Sequence, residues 1–212
     1  MGNKMVVDTS ADYHIHSNYN DHSDSDLTIN NVIHFAEKNG LKKIAFTEHV
    51  RRSSDWIPKY LNEIQICARN SPLEIIPGFE AKILLNGNID CPDEYRSKYF
   101  LVASFHTVFG DKERWITALK SAIRDPSVDV IGHLAPEPSF KIIEGEIYSI
   151  AEEIVQNRKI VELNAKYRRP PLDWIISFKN SGVKFHLGSD AHSLTSIGRF
   201  DQIANLIAAV DE

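Results

Sequence analysis

The stretch ADYHIHSNYNDHS, residues 11–23, places three histidines in and directly after a short run with the pattern of a β-strand. Residues i and i+2 of a strand face the same side of a sheet, so Asp12, His14 and His16 are predicted to project together. Two imidazoles on one side can meet a single ion, and Asp12 is expected to accept a hydrogen bond from a ligand ring and fix its tautomer. His22 follows in the next loop. Since a lone histidine on a strand is more often a core residue than a ligand, the rest of the chain has to decide.

Short apolar runs alternate with helical patterns along the whole chain, which indicates a parallel sheet built from β-α units. The predicted strands are residues 11–17, 43–49, 73–83, 99–106, 128–134, 159–165 and 184–190. The predicted helices are residues 28–39, 57–70, 112–124, 144–158, 171–181 and 200–211, the first with Thr28 as its cap and Gly40 as its stop. Residues 86–97 and 137–146 are predicted to be irregular loops. Seven units without a linker or repeat favour an α/β fold of the (β/α)7, TIM-like barrel type, with a doubly wound open sheet as the alternative.

The composition restricts the classes of protein to which the chain can belong. A chain of 212 residues with 42% hydrophobic content is predicted to form one domain, residues 1–212. A net charge of −5 argues against binding to long nucleic acids or to an anionic membrane surface. Neither an export signal in MGNKMVVDTS nor a membrane-spanning run is visible, so a cytoplasmic protein is expected. Cys67 and Cys91 have no paired spacing and are predicted to be structural thiols.

Metal-ligand residue types recur where the predicted strands end, and the carboxyl ends of the strands are where a β/α barrel carries its active site. These residues are His14, His16, His22, His49, Glu80, His106, His133, Asp190 and His192. Of the nine histidines only His34 and His186 fall elsewhere: His34 is predicted to be structural, and His186 shares strand parity with Asp190. Nine candidate ligands are too many for one ion, and mixed imidazole and carboxylate donors suit zinc, manganese or iron. The sequence therefore predicts a multinuclear metal site.

Six motifs carry a resemblance to a known family. They are DYHIH at 12–16 with His22 six residues on, FTEH at 46–49, GFE at 78–80, SFH at 104–106, IGH at 131–133 and GSDAHS at 188–193. In this order they resemble the PHP (polymerase and histidinol phosphatase) family. The resemblance implies a distorted seven-stranded barrel that binds up to three divalent metal ions (Zn, Mn or Fe) and hydrolyses phosphate esters. It also implies that all nine residues above are metal ligands, with Glu80 bridging two ions.

Within that family, several details look closest to histidinol-phosphate phosphatases. Glu48 stands where many relatives have Asp, and we expect it either to orient a metal ligand, the favoured role, or to shuttle protons. The segments ELNAKYRRP and GSDAHSLTSIGRFD parallel two arginine-bearing loops, which makes Arg168, Arg169 and Arg199 candidates for phosphate binding, because an Arg fork matches phosphate oxygens. The segment LAPEPSF, residues 134–140, lacks the charges expected there, so the substrate stays open.

The function predicted from these residues is hydrolysis of a small-molecule phosphomonoester, with histidinol phosphate as the leading substrate. The hypothesis is in-line displacement by metal-activated water, in which Asp190 positions the nucleophile and Arg199 neutralises phosphoryl charge. The alternative is a phosphodiesterase or nuclease acting on nucleotides or DNA ends, since the same metals suit either ester. A metal-stabilised interaction domain without turnover is a third class, which the complete ligand set disfavours. Nothing in the sequence predicts the oligomeric state.

Overall fold

Strands and helices alternate along residues 7–211, the part of the chain that the computed structural model describes. The strands are β1 (Ala11–Ile15), β2 (Lys43–Val50), β3 (Glu74–Lys82), β4 (Phe100–Ser104), β5 (Val130–Ile131), β6 (Ile160–Asn164) and β7 (Lys184–Gly188). The α-helices are α1 (Ile29–Lys38), α2 (Ile57–Ala68), α3 (Asp93–Arg96), α4 (Lys112–Arg124), α5 (Glu144–Gln156), α6 (Leu172–Asn180) and α7 (Ala204–Asp211). Single 3-10 turns lie at Leu194–Ser196 and Asp201–Ile203.

The strands form one parallel sheet whose spatial order is the order of the chain. The first and last strands meet just beyond their ends: Asp190 N–H donates to the His14 carbonyl at 2.8 Å, and His16 N–H donates to the Ala191 carbonyl at 3.1 Å. A doubly wound sheet needs a reversal of strand order, which is absent from the seven described strands. The nearly closed barrel is therefore confirmed, and the open sheet is excluded.

Helix α1 shows how local sequence determines the layer outside the barrel. The Thr28 hydroxyl accepts a hydrogen bond from the Asn31 N–H at 3.2 Å, which is the predicted cap. Gly40 ends the segment with a φ of 79°, a conformation that glycine adopts without strain. The apolar residues between cap and stop recur at helical spacing and are buried: Ile29, Val32, Ile33 and Ala36. This face packs against the outside of the sheet and fixes the β1–β2 connection.

Strand β1 contains a β-bulge that changes which side chains enter the barrel. Asp12 pairs with Ile44 but Ile15 pairs with Phe46, so β1 has one residue more than β2 over this stretch. Ile44 and Phe46 both face the hydrophobic layer under the helices, which places Asp12 on that side and His14 on the other. The prediction that Asp12 projects with His14 and orients a ligand ring is wrong, because the extra residue breaks the strict alternation.

The Asp12 carboxylate has a structural role instead. Oδ1 accepts hydrogen bonds from the Ser189 N–H at 2.9 Å and the His14 N–H at 3.2 Å, and Oδ2 accepts one from the Gly198 N–H at 2.9 Å. Asp12 is fully buried, and burial raises the pKa of its carboxyl despite these donors. It ties the end of β7 and the following loop to β1, and so fixes the position of the GSDAHS segment.

Two predicted boundaries differ from the structure. Strand β5 spans Val130–Ile131 rather than 128–134, because the backbone turns at His133, which has a φ of 28°. The predicted loop 86–97 contains the short helix α3. Over residues 7–211 no helix is both long and apolar enough to cross a membrane. Residues 1–6 of MGNKMVVDTS, the segment that predicts no export signal, lie outside the described residues.

Candidate metal centre

Glu80, near the end of β3, is the centre of the site and is almost completely buried. Imidazole nitrogens of five histidines lie within ion-pair distance of its carboxylate: His14, His16, His49, His106 and His133. Oε1 is 3.0 Å from His133 Nε2 and 3.2 Å from His106 Nε2. Oε2 is 2.9 Å from His49 Nδ1, yet this buried oxygen has no hydrogen-bond partner among the described residues. A carboxylate oxygen in this state is available to a cation.

Other ligand-type atoms extend the cluster around Glu80. Three sets each bring their donor atoms within 4.8 Å of one another: His16, His49 and His192; His14, His16 and Asp190; and His49, Glu80 and His106. The sets share members, so the donors form one connected group. His14 Nε2 lies 3.2 Å from His16 Nε2, and His133 Nε2 lies 3.3 Å from His106 Nε2. Facing ring nitrogens at this distance need a proton or a metal ion between them.

Two buried carboxylates orient His14, on β1, and His16, directly after it, from the side away from Glu80. Glu162, on β6, accepts a hydrogen bond from His14 Nδ1 at 2.6 Å and another from the His133 backbone N–H at 2.7 Å. Glu48, on β2, lies 3.4 Å from His16 Nδ1. A proton held on Nδ1 leaves the lone pair of Nε2 free to bind a metal ion. Outer carboxylates fix metal-ligating imidazoles in proteins in this way. Both Nε2 atoms accordingly face the Glu80 side of the cluster.

Glu48 also holds the first loop. Its Oε2 accepts hydrogen bonds from the Ser17 N–H at 2.9 Å and the Ser17 hydroxyl at 2.5 Å, and its Oε1 accepts one from Asn20 Nδ2 at 2.5 Å. Burial alone would raise the pKa of this carboxyl, but the hydrogen bonds from His16, Ser17 and Asn20 lower it to about 2. A carboxylate with this many fixed donors suits an orienting role better than a proton shuttle.

Glu162 was missed by sequence reasoning, although a signal was present. The strand IVELN carries Glu162 and Asn164 at i and i+2 on one side of an otherwise apolar run, and both are completely buried. Asn164 Nδ2 donates to Glu162 at 3.1 Å and to Asp190 Oδ2 at 3.1 Å. A Cβ atom at Gly188, on the neighbouring β7, would overlap Glu162 Oε1, so only glycine leaves room for this carboxylate. A glutamate and an asparagine at i and i+2 of an otherwise apolar barrel strand form the pattern that indicates such a residue.

Electrostatics keep the acidic donors ionised. Burial would raise the pKa of Glu80 and of Asp190, but the surrounding histidines hold both well below the usual range. Burial would also lower the pKa of His16, but hydrogen bonds to Asp190 and Glu48 raise it to about 8. His192 shows the opposite balance, because burial and the neighbouring His16 lower its pKa to about 4. The free carboxylates and the neutral rings at the rim are the forms that bind a divalent ion.

The predicted ligands are not all equally close. His22 lies in the loop after β1 with 68% of its side chain exposed, 3.4 Å from Asp21 Oδ1, and its ring centroid is 6.3 Å from that of His49. It belongs to none of the three compact donor sets within residues 7–211. The other six predicted histidine ligands meet around the two predicted carboxylate ligands, Glu80 and Asp190.

The three arginines predicted to bind phosphate lie outside the cluster. Arg199 is exposed, its Nε donates to Asp201 Oδ1 at 3.0 Å, and it lines a pocket of about 520 Å³ beside His192. The Arg168 guanidinium donates to Gln202 at 3.2 Å, and the Arg169 backbone pairs with Asn164. In the described part of the chain, neither Arg168 nor Arg169 lines either pocket at the centre.

The β6–α6 loop contributes Lys166 and Tyr167 in their place. Lys166 Nζ lies 3.0 Å from Asp190 Oδ1 and 3.0 Å from His192 Nδ1, and the exposed Tyr167 ring has its centroid 5.1 Å from that of His133. Both line the main cleft, of about 780 Å³, which is also lined by Glu80, Asp190 and several of the histidines. Lys166 lies in the segment ELNAKYRRP, whose two arginines were the predicted phosphate-binding residues.

The two remaining histidines lie away from the centre. His34 is exposed on α1. His186 is buried inside the barrel, where its ring stacks on that of Tyr13 with centroids 4.6 Å apart, below the ligand cluster. Its Nε2 has no hydrogen-bond partner among the described residues, and burial lowers its pKa to about 4.

Comparison with known proteins agrees with this geometry. The model of the family described as the PHP domain matches residues 12–166. A "probable phosphatase" of Acetivibrio thermocellus is 29% identical over an alignment that covers 98% of this chain and 88% of the relative. A "probable phosphatase" of Thermoanaerobacter sp. (strain X514) is 30% identical and covers 96% of this chain and 86% of the relative.

A solved structure shows the same fold. The crystal structure of the "putative histidinol phosphatase hisK" from Listeria monocytogenes superposes with a TM-score of 0.71 at 17% identity, covering 90% of this chain and 98% of the other. At that identity the likeness concerns the fold alone. The family match over most of the chain is decisive: this chain belongs to the PHP domain family.

Proposed function

We propose that this protein is a metal-dependent phosphatase that hydrolyses small-molecule phosphomonoesters. The observation that carries the proposal is Glu80, whose buried carboxylate lies among five imidazoles with one oxygen that accepts no hydrogen bond. Buried unpaired carboxylate oxygens are costly, and a bound cation removes that cost. The names of the relatives, probable phosphatases, support the same reaction class.

The donor set fits up to three divalent ions. The proposed ligands are His14, His16, His22, His49, Glu80, His106, His133, Asp190 and His192. Imidazole nitrogens mixed with carboxylate oxygens suit Zn, Mn or Fe better than Mg or Ca. When bound, such ions supply Lewis-acid activation of water and neutralise charge on phosphoryl oxygens.

The side chains of the protein then prepare the site for in-line attack of water on phosphorus. Glu162 and Glu48 hold the rings of His14 and His16 in one tautomer and orientation. Asp190 presents Oδ1 toward His16 while Asn164 holds Oδ2, which suits it to position the attacking water as well as an ion. The bond between phosphorus and the ester oxygen breaks as the water oxygen bonds to phosphorus, without a covalent enzyme intermediate. The water loses a proton and the departing alkoxide gains one, so the products are the alcohol and inorganic phosphate.

Phosphate recognition beyond the metals is assigned to basic residues at the rim. Arg199 is one predicted group, in the pocket next to His192, and Lys166 is nearer to the donors. Arg168 and Arg169 stay weaker candidates, because their loop would have to move to bring them into the cleft. Histidinol phosphate is the leading substrate on the resemblance of the motifs, and the name of the Listeria neighbour supports the same choice.

A phosphodiesterase or nuclease is the second candidate. The observation that favours it is the size of the cleft, about 780 Å³, which exceeds what a phosphoryl group needs. The net charge of −5 favours small substrates over long nucleic acids.

The test is a substrate panel with metal-reconstituted protein. Zn- and Mn-loaded protein is assayed with p-nitrophenyl phosphate, bis-p-nitrophenyl phosphate and histidinol phosphate. We expect kcat/KM for each of the two monoesters to be well above kcat/KM for the diester. Preference for the diester would establish the second candidate, and absence of turnover with all three esters, in protein shown to hold metal, would reject both.

A further inference from the structure

Two basic side chains stand side by side at the mouth of the cleft. Arg51 is the first residue after β2, and Lys82 is the last residue of β3. Both line the same cleft as His49 and Glu80. Neither is among the residues assigned above to metal or phosphate.

Strand register explains why the two side chains come together. His49 pairs with Glu80 and Val50 with Ala81, so the next step along the parallel strands brings Arg51 beside Lys82. Residues i and i+2 share a side, so Arg51 projects like His49, and Lys82 projects like Glu80. A spacing of two residues is about 6–7 Å along a strand, and neighbouring strands are about 4.8 Å apart. The pair therefore forms a basic layer directly above the His49–Glu80 layer.

This arrangement is unfavourable in the free protein. Like charges on adjacent strand positions repel each other. Among residues 7–211, no carboxylate lies within ion-pair distance of either basic group. The Asp90 N–H donates to the Lys82 carbonyl at 3.0 Å, which brings Asp90 near the pair, but its Oδ1 accepts a hydrogen bond from the Arg52 backbone N–H at 3.0 Å. An anion bound between the two side chains would relieve the repulsion.

We propose that Arg51 and Lys82 bind a second anionic group, carried by the leaving-group side of the substrate. This inference rests on the proposed function, because it takes the scissile phosphate to be held at the layer below. The spacing of the layers then places the second anion about 6–7 Å from the first. The preferred substrate class is a small phosphomonoester that also carries a carboxylate or a second phosphate, which sets it apart from histidinol phosphate, whose leaving group carries an amine. The guanidinium of Arg51 supplies a fork for two oxygens, and Lys82 supplies a point charge.

The first test measures binding, so it does not depend on turnover. Metal-loaded protein is titrated calorimetrically with 3-phosphonopropionate and with propylphosphonate. Neither phosphonate can be hydrolysed as an ester, and only the first carries a carboxylate. Wild type is expected to bind 3-phosphonopropionate on the order of 10- to 100-fold more tightly, as hydrogen bonds between charged groups typically contribute. Arg51→Gln with Lys82→Gln is expected to abolish this preference, and Arg51→Lys to retain part of it.

Two further variants guard against indirect effects. Arg52→Gln removes an exposed charge from the next residue and is expected to leave both affinities unchanged. Arg51→Gln alone changes only an exposed side chain, so it keeps the comparison valid if the double variant unfolds. Equal affinity of wild type for the two phosphonates would overturn the inference. An equal loss of both ligands in Arg51→Gln would also overturn it, because the pair would then bind the scissile phosphate itself.

The second test uses turnover and separates the two anions. Glycerol 3-phosphate is compared with 3-phosphoglycerate, and fructose 6-phosphate with fructose 1,6-bisphosphate. A higher kcat/KM for the doubly anionic member of either pair, lost in Arg51→Gln, supports the inference and identifies carboxylate or phosphate as the preferred group. Equal values within both pairs overturn the inference and leave the proposed function standing. If metal-loaded protein hydrolyses no ester, the proposed function fails, and the phosphonate titration still decides the inference.

Discussion

Glu162→Gln is the substitution that most sharply tests how the site is organised. The carboxylate accepts hydrogen bonds from His14 Nδ1 at 2.6 Å, the His133 N–H at 2.7 Å and Asn164 Nδ2 at 3.1 Å. A glutamine can keep the last two only with its carbonyl oxygen, which turns its NH2 group toward His14. His14 must then accept at Nδ1 and carry its proton on Nε2, the atom that faces Glu80 and His16.

The expected loss follows from these contacts. Changes in the partners that orient metal-ligating histidines typically cost about 10- to 100-fold in metal affinity or activity. Replacing a charge-assisted hydrogen bond by a neutral one also lowers the free energy of unfolding by about 1–2 kcal/mol. We therefore expect Glu162→Gln to fold, to unfold at a lower temperature, and to bind Zn or Mn about 10- to 100-fold more weakly.

The assay is competition for metal against a fluorescent chelator, with circular dichroism to establish folding. The matched control is Glu153→Gln on helix α5, where the carboxylate pairs with Arg124 at the surface. The pair lies at the surface, with Arg124 60% exposed and Glu153 17% exposed, so its loss should cost about 1 kcal/mol and leave metal affinity unchanged. Folded Glu162→Gln with the metal affinity of wild type would refute the role assigned to this residue.

Further predictions concern the barrel interior and the rim. Gly188→Ala places a Cβ atom over Glu162 Oε1 and 2.7 Å from His14 Cβ, so it should lower the free energy of unfolding in urea by about 1–3 kcal/mol. The control, Gly145→Ala, lies in open space on α5 and should be neutral or slightly stabilising. His186 has its folded pKa lowered to about 4, below its unfolded value, so it contributes stability above pH 6.5 that is lost as the pH falls toward 4. Between pH 7 and 4.5 wild type should lose about 2–3 kcal/mol more than His186→Phe, and parallel pH profiles of the two proteins would contradict this. Arg199→Ala should raise KM for p-nitrophenyl phosphate more than for its diester, and an equal effect on both would remove the basis for monoester selectivity at Arg199.

The sequence predicts the fold well because its signals are local. Apolar runs, the cap at Thr28 and the stop at Gly40 each depend on a few neighbouring residues, and the structure confirms them. The gathering of distant histidines could also be predicted, since parallel strands of a barrel all end at one rim. His133 is the exception in detail, because its backbone turn, with a φ of 28°, shortens β5.

Other features depend on register and on contacts between distant strands. The extra residue in β1 turns Asp12 away from the site, and no single-strand pattern shows a bulge. Glu162 reaches His14 across the barrel, 148 residues away in the chain, through space left by Gly188. The composition of KYRRP indicates its two arginines as anion-binding residues. It is the loop conformation that places Lys166 next to Asp190.

The most direct test of the metal centre is the amount of metal bound per chain. Protein equilibrated with Zn or Mn and then freed of loose ions is analysed by mass spectrometry of the metal content, for wild type, for His14→Ala with His192→Ala, and for His34→Ala as an exposed control on α1. We expect more than one ion per chain, up to three, in wild type and in the control, and a clear loss in the double variant. Wild type that retains no metal, or a double variant that retains as much as wild type, would contradict it.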